Sequence, residues 1–406
     1  MSMDMNFVES QFPALRQREF TYLDNAGGSL VLKGVAARVS DYLLTSSVQH
    51  GATYSKSAEA RDKLRQAQES VARLINAKRP EEVVMGSSTT WLLRVLADAI
   101  GETLKPGDEI ICSQSEHESN YGAWEKLTRR GVKVIPWPFD LVSFRLSTKT
   151  LQSLMTPKTK LVCCTHASNI FGTINPIREI ADMVHANGAK LCVDSVAYAP
   201  HRLVDVQASD ADFYVFSFYK VYGPHHAVMF GKYDELLKLP NQNHFFIAED
   251  RIPYKLQPGN VNYELAYGCI GIEDYLLELG AKDGTTPRQK MAAAFDQITQ
   301  QEELLSASLL NYLTAKNNVR IIGETSHAAR LRVPTISFVV EGVDSESIVS
   351  QMDKFNIGIR YGDFYARRLV QALGLEKNNG VVRVSMVHYN TIAEVEKLIS
   401  KLDAIL

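Results

Sequence analysis

Residues 190–224 read KLCVDSVAYAPHRLVDVQASDADFYVFSFYKVYGP. Two apolar runs of strand length lie within this stretch, at 190–193 and 213–216, and each gives way to polar or ionisable residues. Asp194 follows the first run, and Ser217, Tyr219 and Lys220 follow the second. In open α/β sheets, ligands gather beyond the carboxyl ends of the strands. A carboxylate at one such end and a lysine just past the next are therefore a candidate site. By themselves the two residues fit equally well a surface lysine that follows a buried strand.

The same pattern repeats upstream. A helix is expected over 56–77, where Ala58, Leu64, Ala67, Val71, Leu74 and Ile75 fall near helical spacing. A strand at 83–85 runs into Gly86-Ser87-Ser88-Thr89-Thr90 and then a helix over 91–100. Hydroxyls, free N–H groups and the positive end of a helix dipole meet in such a turn and suit a phosphate. On its own, the turn is better explained as a plain Ser/Thr N-cap. Strands at 109–112, 132–135 and 160–165 follow. The first leads to His117 and a helix carrying Trp124; the third leads to His166-Ala167-Ser168-Asn169 and a helix opened by Asn175-Pro176. Gly188 closes that helix just before the strand at 190–193. Strands alternating with helices predict an α/β domain on a mainly parallel sheet. Thr89, Thr90, His117, Asn169, Asp194, Ser217 and Lys220 then all fall at strand ends, and that coincidence weighs more than any one of them.

Beyond residue 237 the alternation loosens. Residues 241–262 are polar and aromatic, with Pro253, Pro258 and Gly259, and read as a long functional loop. Helices expected over 264–280, 287–316, 345–355 and 391–406, with strands over 335–341 and 381–386, make a smaller α+β unit. The expected division is an N-terminal segment, 1–20, packed on the small domain, a large domain over 21–262 and a small domain over 263–406.

At 406 residues the chain is longer than an ordinary single domain, and 45% hydrophobic with 22% charged residues is a globular composition. A formal net charge of −2 points to neither nucleic acid nor an anionic membrane. No apolar run approaches the ~18 residues of a membrane span. The N-terminal MSMDMNFVESQFPALR lacks the apolar stretch of a signal peptide and the Arg- and Ser-rich character of a transit peptide. Cys112, Cys163, Cys164, Cys192 and Cys269 form no C-x-x-C pair and fall mostly in apolar runs, so a reducing cytoplasm is expected. No metal site is expected: His225-His226 and Cys163-Cys164 are adjacent pairs, whose side chains point to opposite faces of a strand.

One cofactor uses a lysine and an acid in this relation. Pyridoxal 5'-phosphate (PLP) needs an amine for its Schiff base and an acid to keep its pyridine nitrogen protonated. Partial burial leaves the amine neutral enough to attack. Three further pieces narrow the reading: THASNIFGTINPI (165–177), VDSVAYAPH (193–201) and FYVFSFYKVYGPH (213–225). With them the chain resembles the class V aminotransferase group of fold-type I PLP enzymes, within it the cysteine-desulfurase-like branch, from Tyr22-Leu23-Asp24-Asn25-Ala26-Gly27-Gly28 to Arg383-Val384-Ser385.

The resemblance implies a large domain with a mainly parallel seven-stranded sheet, a smaller α+β domain, PLP, and a homodimer with shared active sites. It implies Lys220 as the Schiff-base lysine, Asp194 as the partner of the pyridinium nitrogen and His117 stacked on the ring. Thr89, Thr90, Ser217 and Tyr219 would hold the phosphate, Tyr219 standing where relatives often have a histidine. Asn260, in QPGN, would reach the phosphate of the partner subunit. Asn169 would lie near the cofactor phenol oxygen and the substrate carboxylate, and Arg383 would clamp that carboxylate with a bidentate fork. Ala26, Gly27 and Arg360 would also face the substrate. An ordinary strand-edge arginine and a local helix contact are the alternatives for Arg383 and His117.

Two positions depart from the family. A desulfurase takes sulfur with the cysteine of a stretch like R-x-G-H-H-C-A; here Arg360-Tyr361-Gly362-Asp363-Phe364-Tyr365-Ala366 puts Tyr365 in the thiol's place. Ala197 stands where relatives often carry a Gln or His beside the phenol oxygen. STTWLLR, SFYKVYGPH and VVRVSMVHYNT also resemble fungal cysteine-desulfurase-like enzymes that decarboxylate aspartate at Cβ and use the resulting enamine in an aldol addition. The expectation is a PLP-dependent lyase cleaving a bond at Cβ of a small α-amino acid, cysteine C–S or aspartate Cβ–carboxylate, without the desulfurase cysteine. An aminotransferase and a non-catalytic PLP-fold binding protein are the alternatives.

Overall fold

The computed structural model describes residues 3–16 and 19–406. In chain order its strands are β1 (Thr21–Tyr22), β2 (Val83–Gly86), β3 (Glu109–Ser113), β4 (Lys133–Trp137), β5 (Thr159–Thr165), β6 (Lys190–Asp194), β7 (Phe213–Ser217), β8 (Ala227–Gly231), β9 (Val319–Ile321), β10 (Thr335–Val340), β11 (Ile357–Gly358), β12 (Arg360–Gly362) and β13 (Val381–Ser385). Seven of them form one sheet in the order β2-β8-β7-β6-β5-β3-β4. The two runs of the opening stretch are its neighbouring parallel strands β6 and β7. Only β8 runs against the rest, pairing antiparallel with β2 and β7. Sequence reading did not assign β8. Residues 218–226 are too few for the crossover that a parallel strand requires, so the chain turns straight back. The carboxyl ends of β2, β3, β5, β6 and β7 consequently open on one edge.

The sheet is buried on both faces, which is why its strands read as apolar runs rather than alternating ones. Val162 and Cys164 of β5 enter one core and Leu161 and Cys163 the other. All five cysteines are free and buried.

Helices Tyr263–Gly268 and Ile270–Leu279 pack on Lys33–Thr45 and Ser55–Ile75 and bury Ala266, Ile272 and Leu276 in the larger core. Gly271 lies so close to the Lys33–Thr45 helix that a Cβ would stand 2.7 Å from Val35 N. The helix Pro287–Thr314 then joins the two units: Met291, Phe295 and Ile298 lie in the larger core, Leu305, Leu309 and Leu313 in the smaller. The smaller core forms under the antiparallel sheet β12-β13-β10-β9, covered by Ser345–Asp353 and Ile392–Leu402. Of the expected N-terminal segment, residues 1, 2, 17 and 18 lie outside the described residues. Its helix Met5–Gln11 sets Val8 in the larger core. Phe12 meets Tyr222 and Tyr275 edge-on and Tyr389 at 4.8 Å. The segment thus seats at the joint.

Burial holds His117, His166, His226 and His388 well below the ordinary imidazole range, at about 3, 3, 4 and 3. The unfolded chain protonates these near 6.5 and the folded chain does not, so their contribution is present above 6.5 and lost as pH falls. Burial raises Glu116 and Asp194 to about 8 and about 6, which works in the opposite sense over the same interval. Four histidines against two carboxyls leave a net uptake of about two protons on unfolding near pH 5.5. The melting temperature of the apoprotein is therefore expected to drop between pH 6.5 and 5. Calorimetry across that range checks this, and a rising melting temperature would contradict it.

Candidate active site

Thr89, Thr90, His117, Asn169, Asp194, Ala197, Ser217, Tyr219 and Lys220 line a single cavity at the carboxyl edge of the sheet. Each is placed by a short-range rule. Ser88 caps the helix Thr89–Thr103, its Oγ accepting from Trp91 N at 3.1 Å, so the helix starts two residues before the expected Trp91. The hydroxyls of Thr89 and Ser217 are 2.7 Å apart, and Thr89 N donates to Ser217 Oγ at 3.3 Å. First-turn N–H groups, two hydroxyls and the positive end of the helix dipole make this corner a seat for an anion. His117 caps the helix Glu118–Glu125, its Nδ1 accepting from Ser119 N at 3.1 Å. Burial, Lys220 and Arg383 keep the ring neutral.

Asp194 ends β6 and is buried. Its Oδ1 accepts from Val196 N at 2.9 Å, and no other hydrogen bond among the described residues reaches the carboxylate. Lys220 ends the turn Phe218–Lys220 after β7, also buried. Burial, aided by Arg383 and opposed by Asp194, lowers its amine to about 8. An anion seat, an amine close to neutrality and a carboxylate with an unused oxygen are the three groups that PLP requires, so the residues present fit it.

Arg383 and Arg360, expected to face the substrate, belong to the smaller domain. Arg383 on β13 stands opposite Arg360 on β12. The buried Arg383 donates from Nη2 to Asp24 Oδ1 and from Nη1 to Asn169 O, both at 3.2 Å. Its guanidinium lies 3.6 Å from the ring centroid of Phe364. Its Nε–H is buried without a partner among the described residues, and such a donor needs an acceptor. Arg360, 56% exposed, approaches the other oxygen of Asp24 at 3.6 Å. Ala26 and Gly27 lie beside this cluster: Ala26 N donates to Ser385 Oγ at 2.8 Å, and a Cβ on Gly27 would fall 2.7 Å from Asp24 Oδ2. Asn260 does not reach the cavity of its own chain; it is exposed at the loop tip with φ 71°.

Residues 363–366 lie against two residues that line the cavity, His117 and Asn169. Phe364 and Tyr365 both have left-handed backbones, φ 49° and 59°, a costly conformation for aromatic residues. Three hydrogen bonds hold it: Tyr365 N to Asp363 Oδ1 at 3.0 Å, Asn169 Nδ2 to Phe364 O at 3.0 Å and Glu118 N to Tyr365 O at 2.7 Å. The Tyr365 ring leans on His117 at 5.4 Å. Asp24, Glu116 and Phe364 were not singled out as site residues. Asp24 stood in the YLDNAGG stretch, but its approach to Arg383 depends on the Asp24–Ser385 bridge between chain segments far apart in sequence.

The aminotransferase class-V model matches residues 21–242 and 289–398, and the chain belongs to that family of PLP-dependent enzymes. Within it, the chain is 42% identical over 413 aligned positions to aminotransferase-like protein FGM3 of Gibberella zeae, covering 100% of this chain and 99% of that one. It is 36% identical over 417 positions to cysteine desulfurase-like protein ustD of Aspergillus flavus, covering 99% and 91%. Among solved structures, the cysteine desulfurase CsdA of Escherichia coli matches with a TM-score of 0.84 at 25% identity, over 100% of this chain and 98% of that one. The expected architecture, a large mainly parallel sheet with a smaller domain, is the one observed.

Proposed function

We propose that this protein is a PLP-dependent lyase that breaks a bond at Cβ of a small α-amino acid without a sulfur-accepting thiol. One observation carries the reading. Cys112, Cys163, Cys164, Cys192 and Cys269 are all buried, and Tyr365, which forms no persulfide and leans on His117, would by the resemblance take the place of the desulfurase cysteine. A leaving group that needs no acceptor from the protein suits such a site. The Cβ carboxylate of aspartate, which departs as carbon dioxide, is one; the C–S bond of cysteine, released as free sulfide, is the other.

Bound PLP supplies the electron sink that makes bonds at Cα and Cβ labile. The chain supplies the rest. Ser217, Thr89 and Thr90 would hold the phosphate, with Tyr219 beside them. Asp194 would keep the proton on the pyridine nitrogen, and His117 would offer a neutral ring to the cofactor. Lys220, with its amine near pH 8, moves the proton at the substrate Cα. Arg383, through its unpartnered Nε–H, and Asn169 would orient the substrate carboxylate. Phe364 and Tyr365 keep water out. A homodimer in which Asn260 of one protomer reaches the other's phosphate, and a cytoplasmic location, belong to the same reading.

The test is a screen of the holoenzyme with aspartate, cysteine, cystine and selenocysteine, read by the cofactor's visible spectrum and by product identification. Alanine with carbon dioxide from aspartate, or sulfide from cysteine, is the expected outcome. Absence of sulfide, pyruvate, alanine and carbon dioxide from all four would defeat the reading. A pyridoxamine band with a keto acid would make the protein an aminotransferase instead.

A further inference from the structure

Immediately before His117, the carboxyl of Glu116 is buried, at 3% exposure, with no cation beside it among the described residues. Oε1 accepts from Ser113 Oγ and, at 2.6 Å, from Thr165 N; Oε2 accepts from Asn120 Nδ2 at 2.7 Å. These donors come from the end of β3, the end of β5 and the helix that His117 caps. Both arms continue toward the site. Asn120 N donates to His117 O at 3.0 Å. Thr165 pairs with Asp194 in the β5–β6 ladder, and its Oγ1 donates to Asp194 O at 3.2 Å and Ala167 O at 2.7 Å. Glu116 thus ties the segment that presents His117 to the strand end that presents Asp194.

A second carboxylate so close to Asp194 carries an electrostatic consequence. Burial first, and then the charge of Asp194, lifts Glu116 to about 8. A protonated Glu116 also has a partner, because Ser113 Oγ can take that hydrogen bond while its own proton turns to Ser115 Oγ, 3.1 Å away. We propose that Glu116 is a positioning residue of the active site, which fixes His117 and Asp194 relative to one another. By carrying its own proton it leaves Asp194 as the single negative charge at the pyridine end. The inference rests on the assignment of His117 and Asp194 to PLP made above.

Glu116→Gln preserves volume but offers a single acceptor oxygen, so its amide must set a donor against either Thr165 N–H or Asn120 Nδ2. Asn120 cannot simply flip, because its Oδ1 accepts from Trp124 Nε1 at 2.9 Å. Glu116→Asp keeps the acid and shortens its reach. Glu82→Gln is the structural control: Glu82 is equally buried, but accepts from Lys78 N and Arg79 N at 2.8 and 3.2 Å, and does not line the cavity. The holoenzymes would be titrated by visible absorption across about pH 6 to 10, with PLP retention on dialysis and melting temperature measured in parallel. Glu116→Gln is expected to displace the midpoint of the cofactor titration and to weaken PLP retention by about 10- to 100-fold, the usual range for a supporting hydrogen bond. Glu116→Asp should do so less, and Glu82→Gln should change only the melting temperature. If Glu116→Gln does not fold, the displaced midpoint of Glu116→Asp carries the test. An unchanged midpoint and retention in the Glu116 variants, or an equal displacement in Glu82→Gln, overturns the inference alone. A wild-type protein with no lysine-bound PLP band overturns the site assignment and the inference with it.

Discussion

Lys220→Ala is expected to abolish turnover, lowering kcat/KM by about a thousandfold or more, within the range that proton transfer and covalent attachment each command. Among the described residues the site holds no substitute: Lys220 is the only one of their lysines that lines the cavity. Its position is set by β7, which ends at Ser217 and delivers the amine within one tight turn, so no neighbouring side chain can swing into its place. The variant should lose the visible band of lysine-bound PLP and its bleaching by borohydride, both present in the wild type. Stability should move the other way. Burial lowers the Lys220 amine to about 8, so at pH 7 the folded state holds a charge that the unfolded state carries more easily. A base with a depressed folded pKa costs stability below its unfolded value and stops costing it as pH rises. With both proteins free of PLP, the alanine variant should therefore melt no lower than wild type at pH 7, a trade of stability for activity common at functional sites. A variant that keeps the visible band, or turns over at a tenth of the wild-type rate, would remove Lys220 from its role.

How much of this was legible in the sequence follows from the range over which each feature is determined. Asp194, Ser217 and Lys220 were readable because each directly follows an apolar run buried on both faces, so its place at the carboxyl edge is decided within a few residues. Thr89 and His117 were readable for the same reason, one opening a helix and the other capping one. Features fixed by distant chain segments were not readable. β8 carries a strand-like run, but its antiparallel return depends on the short 218–226 connection and on β2 lying beyond it. The packing of the Tyr263–Gly268 and Ile270–Leu279 helices was not readable either, because they are helical in either domain. Only their packing against Lys33–Thr45 decides to which core they belong. Asp24 and Phe364 carry no local signal of a role; only the folded chain places both on Arg383.

The second large effect is expected at Arg383. Three separate features converge on its guanidinium, Asp24, the Asn169 carbonyl and the Phe364 face, and its Nε–H is left for an acceptor that the described residues do not supply. Burial lowers its pKa to about 10, which leaves it fully charged at neutral pH. Truncating one member of a buried, hydrogen-bonded charge pair costs about 2–5 kcal/mol, so Arg383→Ala should lower kcat/KM for an α-amino acid by roughly 30- to 5000-fold. Arg383→Lys should recover little of this, because an ammonium offers its donors from one point and cannot serve Asp24, Asn169 and a substrate carboxylate from the edges of a plane. The fold should tolerate the loss, since Arg360 remains beside Asp24 at 3.6 Å to compensate its charge. The decisive readout is discrimination. The wild type should prefer cysteine or aspartate strongly over the corresponding amines that lack the α-carboxylate, and in Arg383→Ala that preference should collapse while the cofactor's visible band stays in place. If the variant loses both classes of substrate equally, Arg383 is holding Phe364 and Asp24 in position rather than reading the carboxylate, and the unpartnered Nε–H has another acceptor.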